Sequence, residues 1–214
     1  MATGLEELGI SDDDAERAVW KEAEAPARDR EAPQPTPRSR GIPVILLEQP
    51  VSEPHEGSGT DALTTWLSRI PLLSGMHPRH IARIAALAID ERYGAGDSIY
   101  RAGETGGDLF IVVEGTVRMI RTIGQLGEEA LAILRAGHHF GELSFLEGDG
   151  RRLSDARVQH RARVLRLRKD DLRDLMFVDR DLAHDLLWRF VAGLTRQVRE
   201  ASDRLAMFAG SIRF

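Results

Sequence analysis

The sequence contains no cysteine, which excludes a disulfide framework, a thiolate nucleophile and a cysteine-ligated zinc site. It has no apolar run near the roughly 18 residues needed to cross a bilayer, and no charged-then-apolar leader follows Met1. The expectation is a soluble cytoplasmic protein without a membrane partner. A strong basic excess is also missing. Residues 1–60 hold 13 acidic and 6 basic side chains, a net of −7 within a whole-chain charge of −5, so the remainder stands at +2. Such a body lacks the electrostatic footprint of a nucleic-acid binder. No G-x-S-x-G elbow, H-E-x-x-H zinc helix or G-x-x-x-x-G-K-[ST] loop occurs. What is present is 214 residues, 42% of them apolar, enough for one sizeable domain or two small ones.

Residues 1–60 carry seven of the nine prolines and a single aromatic, Trp20. A segment of this composition buries too little apolar surface to offset its ordering entropy, so it reads as a mostly disordered acidic arm. Two islands interrupt it: a short helix over 11–23, capped by Ser11 or an early aspartate, and the apolar run Ile42-Pro43-Val44-Ile45-Leu46-Leu47 after Arg38-Ser39-Arg40. The second island is either an edge strand packed on its own domain or a peptide that docks on a protein partner, which makes residues 38–47 a candidate interaction segment.

Order is expected from Asp61. Helices are predicted over 62–69, with Asp61 as N-cap, and over 79–89, opened by Pro78 and striped by Ile81, Ile84, Ala85 and Ala88. From Glu91 to Arg168 the rhythm changes to short β-rich runs (98–100, 109–114, 116–122, 130–134, 156–160 and 163–167) separated by glycine-containing turns. This pattern predicts a small antiparallel barrel or double-sheet roll. Helix returns over 170–177 and over 181–208. On the last helix, Leu187, Val191, Leu194, Val198, Ala201, Leu205 and Phe208 alternate spacings of four and three, the pattern of a coiled-coil seam. A second row, Leu186, Phe190, Gly193 and Gln197, lies beside it and faces the roll. One helix with two such rows packs on its own domain and on a second copy, which predicts a homodimer; the alternative is a monomer that folds the whole helix onto its roll.

The chemistry concentrates in residues 137–158, GHHFGELSFLEGDGRRLSDARV. Gly141 permits close backbone approach, and the amides at Glu142, Leu143 and Ser144 open a short apolar helix and favour an anion. Arg151 or Arg152 supplies a guanidinium that pairs with phosphate oxygens. This is a cradle for a small phosphorylated ligand. Leu153 follows the arginines, then Ser154, then Asp155, whose charge competes with an anion for a neighbouring arginine.

From about Trp66 to Phe208 the chain resembles the cyclic-nucleotide-binding domain family, which includes catabolite-activator-type regulators and regulatory subunits of cyclic-AMP-dependent kinase. The resemblance rests on Tyr93-Gly94-Ala95-Gly96-Asp97, Gly103, Ile111-Val112-Val113-Glu114-Gly115-Thr116-Val117, Gly137 and Phe140-Gly141-Glu142-Leu143-Ser144, in the family's order and approximate spacing. It implies a mainly β fold with flanking helices, an antiparallel β-roll over 61–214 with a long C-terminal helix that caps the pocket and forms the dimer. It implies cyclic AMP or cyclic GMP as ligand, with Glu142 on the ribose hydroxyl and a cassette arginine on the phosphate. Counting back from the strand at Val164 favours Arg152; counting forward from Gly141 allows either arginine. The family has a small residue after that arginine, where this sequence has Leu153. On the capping helix Gln197 is the candidate reader of the base, or else a solvated helix residue.

Activator-type members continue into a helix-turn-helix domain after the long helix, whereas this sequence stops at Phe214, so DNA is not an expected partner. The resulting expectation is a non-catalytic regulatory protein that senses a cyclic nucleotide and signals to a protein partner, with no metal. A second reading is a degenerate roll kept for ligand-independent protein interaction. A third, a cupin-like metal enzyme, rests on His138, His139, Glu142 and His160. It is disfavoured because the cupin His-x-His spacing is absent and adjacent histidines in an extended strand point to opposite faces.

Overall fold

The computed structural model describes residues 45–46, 60–124, 127–147 and 150–211. In chain order these form β1 (Ile45–Leu46), α1 (Thr60–Leu67), α2 (Pro78–Leu87), β2 (Ile89–Tyr93), β3 (Ser98–Tyr100), β4 (Leu109–Thr122), β5 (Glu128–Leu134), β6 (His139–Phe140), α3 (Glu142–Leu146), β7 (Asp155–Leu167), α4 (Lys169–Val178) and α5 (Arg180–Ser211). The architecture is the anticipated antiparallel β-roll with flanking helices and a long C-terminal helix. The sheet runs β1-β5-β4-β7-β2, with β3 on β7 and β6 on β4.

The predicted pairs of runs 109–114/116–122 and 156–160/163–167 are each one continuous strand, β4 and β7, because the chain bends at these places without leaving the sheet. The β4–β7 register shifts between Val112 and Glu114 and again between Gly115 and Val117. Gly115 sits at φ 84°, and a Cβ there would lie 2.0 Å from the Arg161 carbonyl oxygen. The two strands turn the corner of the roll together, and only glycine leaves room for the crossing. The predicted second helix runs two residues too far: α2 ends at Leu87, and Ile89–Tyr93 pairs antiparallel with β7. Charged Asp90, Glu91 and Arg92 gave it no alternating pattern.

The arm's Ser11 helix and its Arg38-Ser39-Arg40 stretch lie outside the described residues. Ile45 and Leu46 pair in parallel with Ala132 and Ile133 of β5, the own-domain alternative for the apolar island.

Two hydrophobic clusters share the sheet. One fills the roll with Tyr100, Phe110, Val112, Val117, Leu134, Phe140, Val158 and Val164. The other lies between sheet and helices and joins Leu67, Ile70, Ile81, Ile84, Leu109, Ile111, Leu165, Leu167, Leu172, Leu182, Leu186 and Phe190. Asp179, at the α4–α5 joint, accepts from the Leu182 amide at 3.1 Å and pairs with Arg83 of α2. These contacts hold its carboxyl below the usual range and fix where α5 begins.

On α5 the two rows separate as predicted. Leu186 and Phe190 are buried, whereas Leu187, Val191, Val198 and Leu205 of the seam are 42–71% exposed. That apolar face is unpartnered among the described residues.

Gly115→Ala should cost about 2–5 kcal/mol in chemical unfolding, combining a left-handed backbone penalty with backbone overlap. Gly124→Ala, at φ 47° with nothing within 4 Å, should cost about 1 kcal/mol. Equal losses would show that the corner does not need its glycine.

Candidate functional site

A cavity of about 180 Å³ opens inside the roll. Strand residues line one side: Tyr100 from β3, Met119 from β4, Leu131, Ala132 and Leu134 from β5, and His139 and Phe140 from β6. The cassette supplies Gly141, Glu142, Leu143, Ser144, Leu153 and Ser154, and α5 closes the remaining side with Gln197. Seven of the nine sequence-derived site residues therefore meet at one cavity. Arg151 and Arg152 are not on its lining.

Gly141 makes the close approach possible. Its φ is 91°, and a Cβ there would fall 2.6 Å from the Asp108 carbonyl oxygen and 2.8 Å from Arg152 Nη1. Gly141 is the N-cap of α3, and its carbonyl accepts from the Phe145 amide at 3.1 Å. Ser144 Oγ donates to the Arg151 carbonyl at 2.9 Å, which ties α3 to the returning chain. Phe145, on the opposite side of α3, packs in the helical cluster with its ring 5.9 Å from that of Phe190 on α5.

The two arginines part company. Arg151 is on the exposed side, its backbone bridged to Thr105. Arg152 is buried, 5% exposed. Its guanidinium donates to the Gly141 carbonyl at 3.3 Å and the Asp108 carbonyl at 3.0 Å, and lies 4.1 Å above the Tyr100 ring centre. Burial lowers its pKa, while Tyr100 and Asp108 act in the opposite direction. Tyr100 in turn has its hydroxyl pKa raised, chiefly by burial. Asp155 does not compete for Arg152: it accepts from the Ala102 amide at 2.7 Å and pairs with Arg157.

Glu142 is 7% exposed and is the acid of the cavity lining. His139 lies beside it. The other histidine of the pair turns away, with His138 Nδ1 at 3.2 Å from the Arg135 amide nitrogen and 2.9 Å from its carbonyl oxygen. Among the described residues no three His, Asp or Glu side chains converge as a metal site, and no helix is long and apolar enough to cross a membrane.

The strand-borne lining was missed by motif reading, although alternation would have found part of it. Ala132 and Leu134 are two apart on β5 and point inward together. Asp108 had no signal. It accepts from Arg166 Nε at 2.7 Å and from the Lys169 amide at 2.9 Å, while its carbonyl holds Arg152.

Burial holds His139 below the ordinary imidazole value of 6.5, with Glu142 raising it and His138 and Arg196 lowering it further. As pH falls through about 6.5 the unfolded chain gains a proton that the folded chain refuses. The contribution is thus present above that pH and lost below it. Between about pH 7 and pH 5.5 the wild-type melting temperature should fall more steeply than that of His139→Gln; parallel slopes would remove His139 as the cause.

Residues 90–179 match the family model described as cyclic nucleotide-binding domain. The chain is 31% identical over 139 residues to the cyclic AMP receptor protein of Thermus thermophilus, covering 65% of this chain and 62% of that protein. It is 31% identical over 105 residues to a cAMP-dependent protein kinase regulatory subunit of Blastocladiella emersonii, 49% of this chain and 26% of that one. The crystal structure of the N-terminal domain of a transcriptional regulator from Streptomyces coelicolor superimposes with a TM-score of 0.54 at 27% identity, covering 65% of this chain and 94% of that one. The chain thus spans under two-thirds of the length of these two curated relatives. With the roll, the cassette helix and the capping helix all in place around one cavity, the chain carries a domain of the cyclic nucleotide-binding family.

Proposed function

We propose that this protein is a non-catalytic sensor that binds a cyclic nucleotide in the roll cavity and passes the signal to a protein partner through α5. The observation that carries the reading is the double enclosure of the cavity. Cassette residues Glu142, Leu143 and Ser144 form one boundary and Gln197 of α5 another, so occupancy and helix position are linked. A ligand that shifts α3 also presses on α5 through Phe145 and Phe190, biasing two arrangements of the helix.

Within this reading, Glu142 accepts from ribose hydroxyls, Gln197 both donates to and accepts from the base edge, and Leu143 and Leu153 pack on the ring. Cyclic AMP and cyclic GMP fit this scheme equally. The exposed stripe Leu187, Val191, Val198 and Leu205 pairs with its copy in a second chain, giving a homodimer by knobs-into-holes packing.

Titration of the full chain with cyclic AMP and with cyclic GMP, by calorimetry and by thermal shift, tests the ligand. Saturable binding is expected, with Glu142→Gln weaker by about 10- to 100-fold through loss of a charge-assisted hydrogen bond. No heat and no shift at millimolar ligand would leave the roll as a ligand-independent interaction module. For the dimer, light scattering at tens of micromolar should give twice the chain mass, and Val191→Glu with Val198→Glu should give the monomer. A monomeric wild type would refute the paired helix.

A further inference from the structure

We propose that the arm strand β1 is a strap on the ligand cavity: by pairing with β5 it holds a bulge that turns Leu131 into the cavity, so that attachment of the arm and occupancy of the cavity favour each other. This rests on the sensor reading above, because it takes a cyclic nucleotide in the roll cavity as given and adds a second element to which occupancy is linked.

The cavity wall is irregular at this place. β5 supplies Leu131, Ala132 and Leu134 to the lining, whereas consecutive residues of a regular strand, such as Leu131 and Ala132, point to opposite faces. The pairing with β4 accounts for the exception. Met119 stands opposite Ala132 and Ile120 opposite Ala130, so one step along β4 answers to two along β5. Leu131 is the extra residue of a β-bulge, and the bulge lets two neighbours line one cavity.

Nothing in the strand's own sequence fixes that bulge. Residues 130–134 read Ala-Leu-Ala-Ile-Leu, and a run that is apolar at every position carries no polar face to decide which side chains turn inward. On the β4 side the ladder is interrupted at the very residue concerned. On the other side β1 is the one neighbour of β5 among the described residues. It pairs in parallel, Ile45 with Ala132 and Leu46 with Ile133, directly beside the bulge. A paired backbone accepts only the spacing of amides and carbonyls that it meets, so β1 selects the bulged form. Without it β5 becomes an open edge, and realignment to regular pairing turns Leu131 away from the cavity.

The strap is short enough to be released. Two residues form few hydrogen bonds, and such elements belong to the low-stability end of a fold. Thirteen residues, 47–59, separate β1 from α1, a length of chain that lets the strand leave without displacing the helix. Coupling of this kind is reciprocal. A ligand that packs on Leu131 favours the bulge and with it β1, and a protein that takes up residues 38–47 removes the strap and weakens the ligand.

The test uses the full chain and whichever of cyclic AMP and cyclic GMP the wild type binds. Ile45→Pro combined with Leu46→Pro deletes both strand amides, while Ser52→Pro places the same residue in the arm outside the strand. Calorimetry should give at least about fivefold weaker binding for the double variant and wild-type binding for Ser52→Pro. A strand that only stabilised the roll would lower the melting temperature and leave the dissociation constant alone. A smaller loss in the double variant, or an equal loss in Ser52→Pro, overturns the inference and leaves the sensor reading standing. Hydrogen exchange on the wild type supplies the reciprocal measurement: saturating nucleotide should slow exchange in peptides spanning 42–47 and 128–134 by about the factor that the double variant loses in affinity. Unchanged exchange at 42–47 overturns the inference, and this measurement decides should the double variant not fold. Failure of the wild type to bind either nucleotide overturns the sensor reading itself and the inference with it.

Discussion

Leu109, Ile111 and Val113 belong to the helical core while Phe110 and Val112 belong to the roll, so one five-residue stretch of β4 is common to both hydrophobic clusters. All five are 4% exposed or less, and full burial of each such side chain stabilises by about 1.5–3 kcal/mol. Two-sided burial brings a difficulty with register. A strand with one polar face cannot slip by one residue without exposing its apolar face, but an apolar run on both faces has no such protection. The ends must hold it instead. At one end Asp108 is tied to Arg166 and to the Lys169 amide; at the other Gly115 admits the crossing strand at the Arg161 carbonyl. A slip of one residue would place a side chain in that crossing and separate Asp108 from both partners.

The same anchoring shapes the candidate site. Because the Asp108 side chain is fixed by β7 and by the start of α4, its carbonyl is a stationary acceptor. Arg152 spans from it to Gly141 and closes the wall beneath the cassette, with Tyr100 under its face. A buried guanidinium is stable only with such partners. What begins as a requirement of strand register thus ends as the immobilisation of the one cassette cation that is buried beside the cavity. The site that results has its acid turned inward and its arginine turned into the wall.

This division explains what could be read from the sequence and what could not. The roll was legible because strand and turn chemistry alternate at short range, and the two rows of α5 because helical period is a local property. Gly141, Glu142, Leu143, Ser144, Leu153, Ser154 and Gln197 were legible because motif and periodicity brought them to one place. The choice between Arg151 and Arg152 was not, since the loop before them leaves the count open and only burial distinguishes the two. Nor was the role of Asp108, which depends on partners 58 and 61 positions away. The same holds for β2, whose charged residues found their pairing on β7 and not in their own pattern. Long-range pairing overrode local preference there.

Exposure along α5 says where movement can be expected. Leu182, Leu186 and Phe190 are buried at 0–1% exposure, and Asp179 caps the helix start, so its first third is clamped to the sheet. From Val191 onward Val191, Val198 and Leu205 of the seam lie outward while Leu194 is half-buried, and the helix lines the cavities at Gly193, Arg196, Gln197 and Glu200. Phe190 is the residue that meets Phe145 of the cassette. The 21 residues from there to Ser211 extend about 30 Å at 1.5 Å per residue. On the proposed sensor reading, a small displacement of the cassette acts at Phe190 or at Gln197 two turns beyond, near the start of a long arm, and grows along it. On that reading the cavity lies where a ligand acts on α5 at the end of its fully buried portion, next to the exposed stripe.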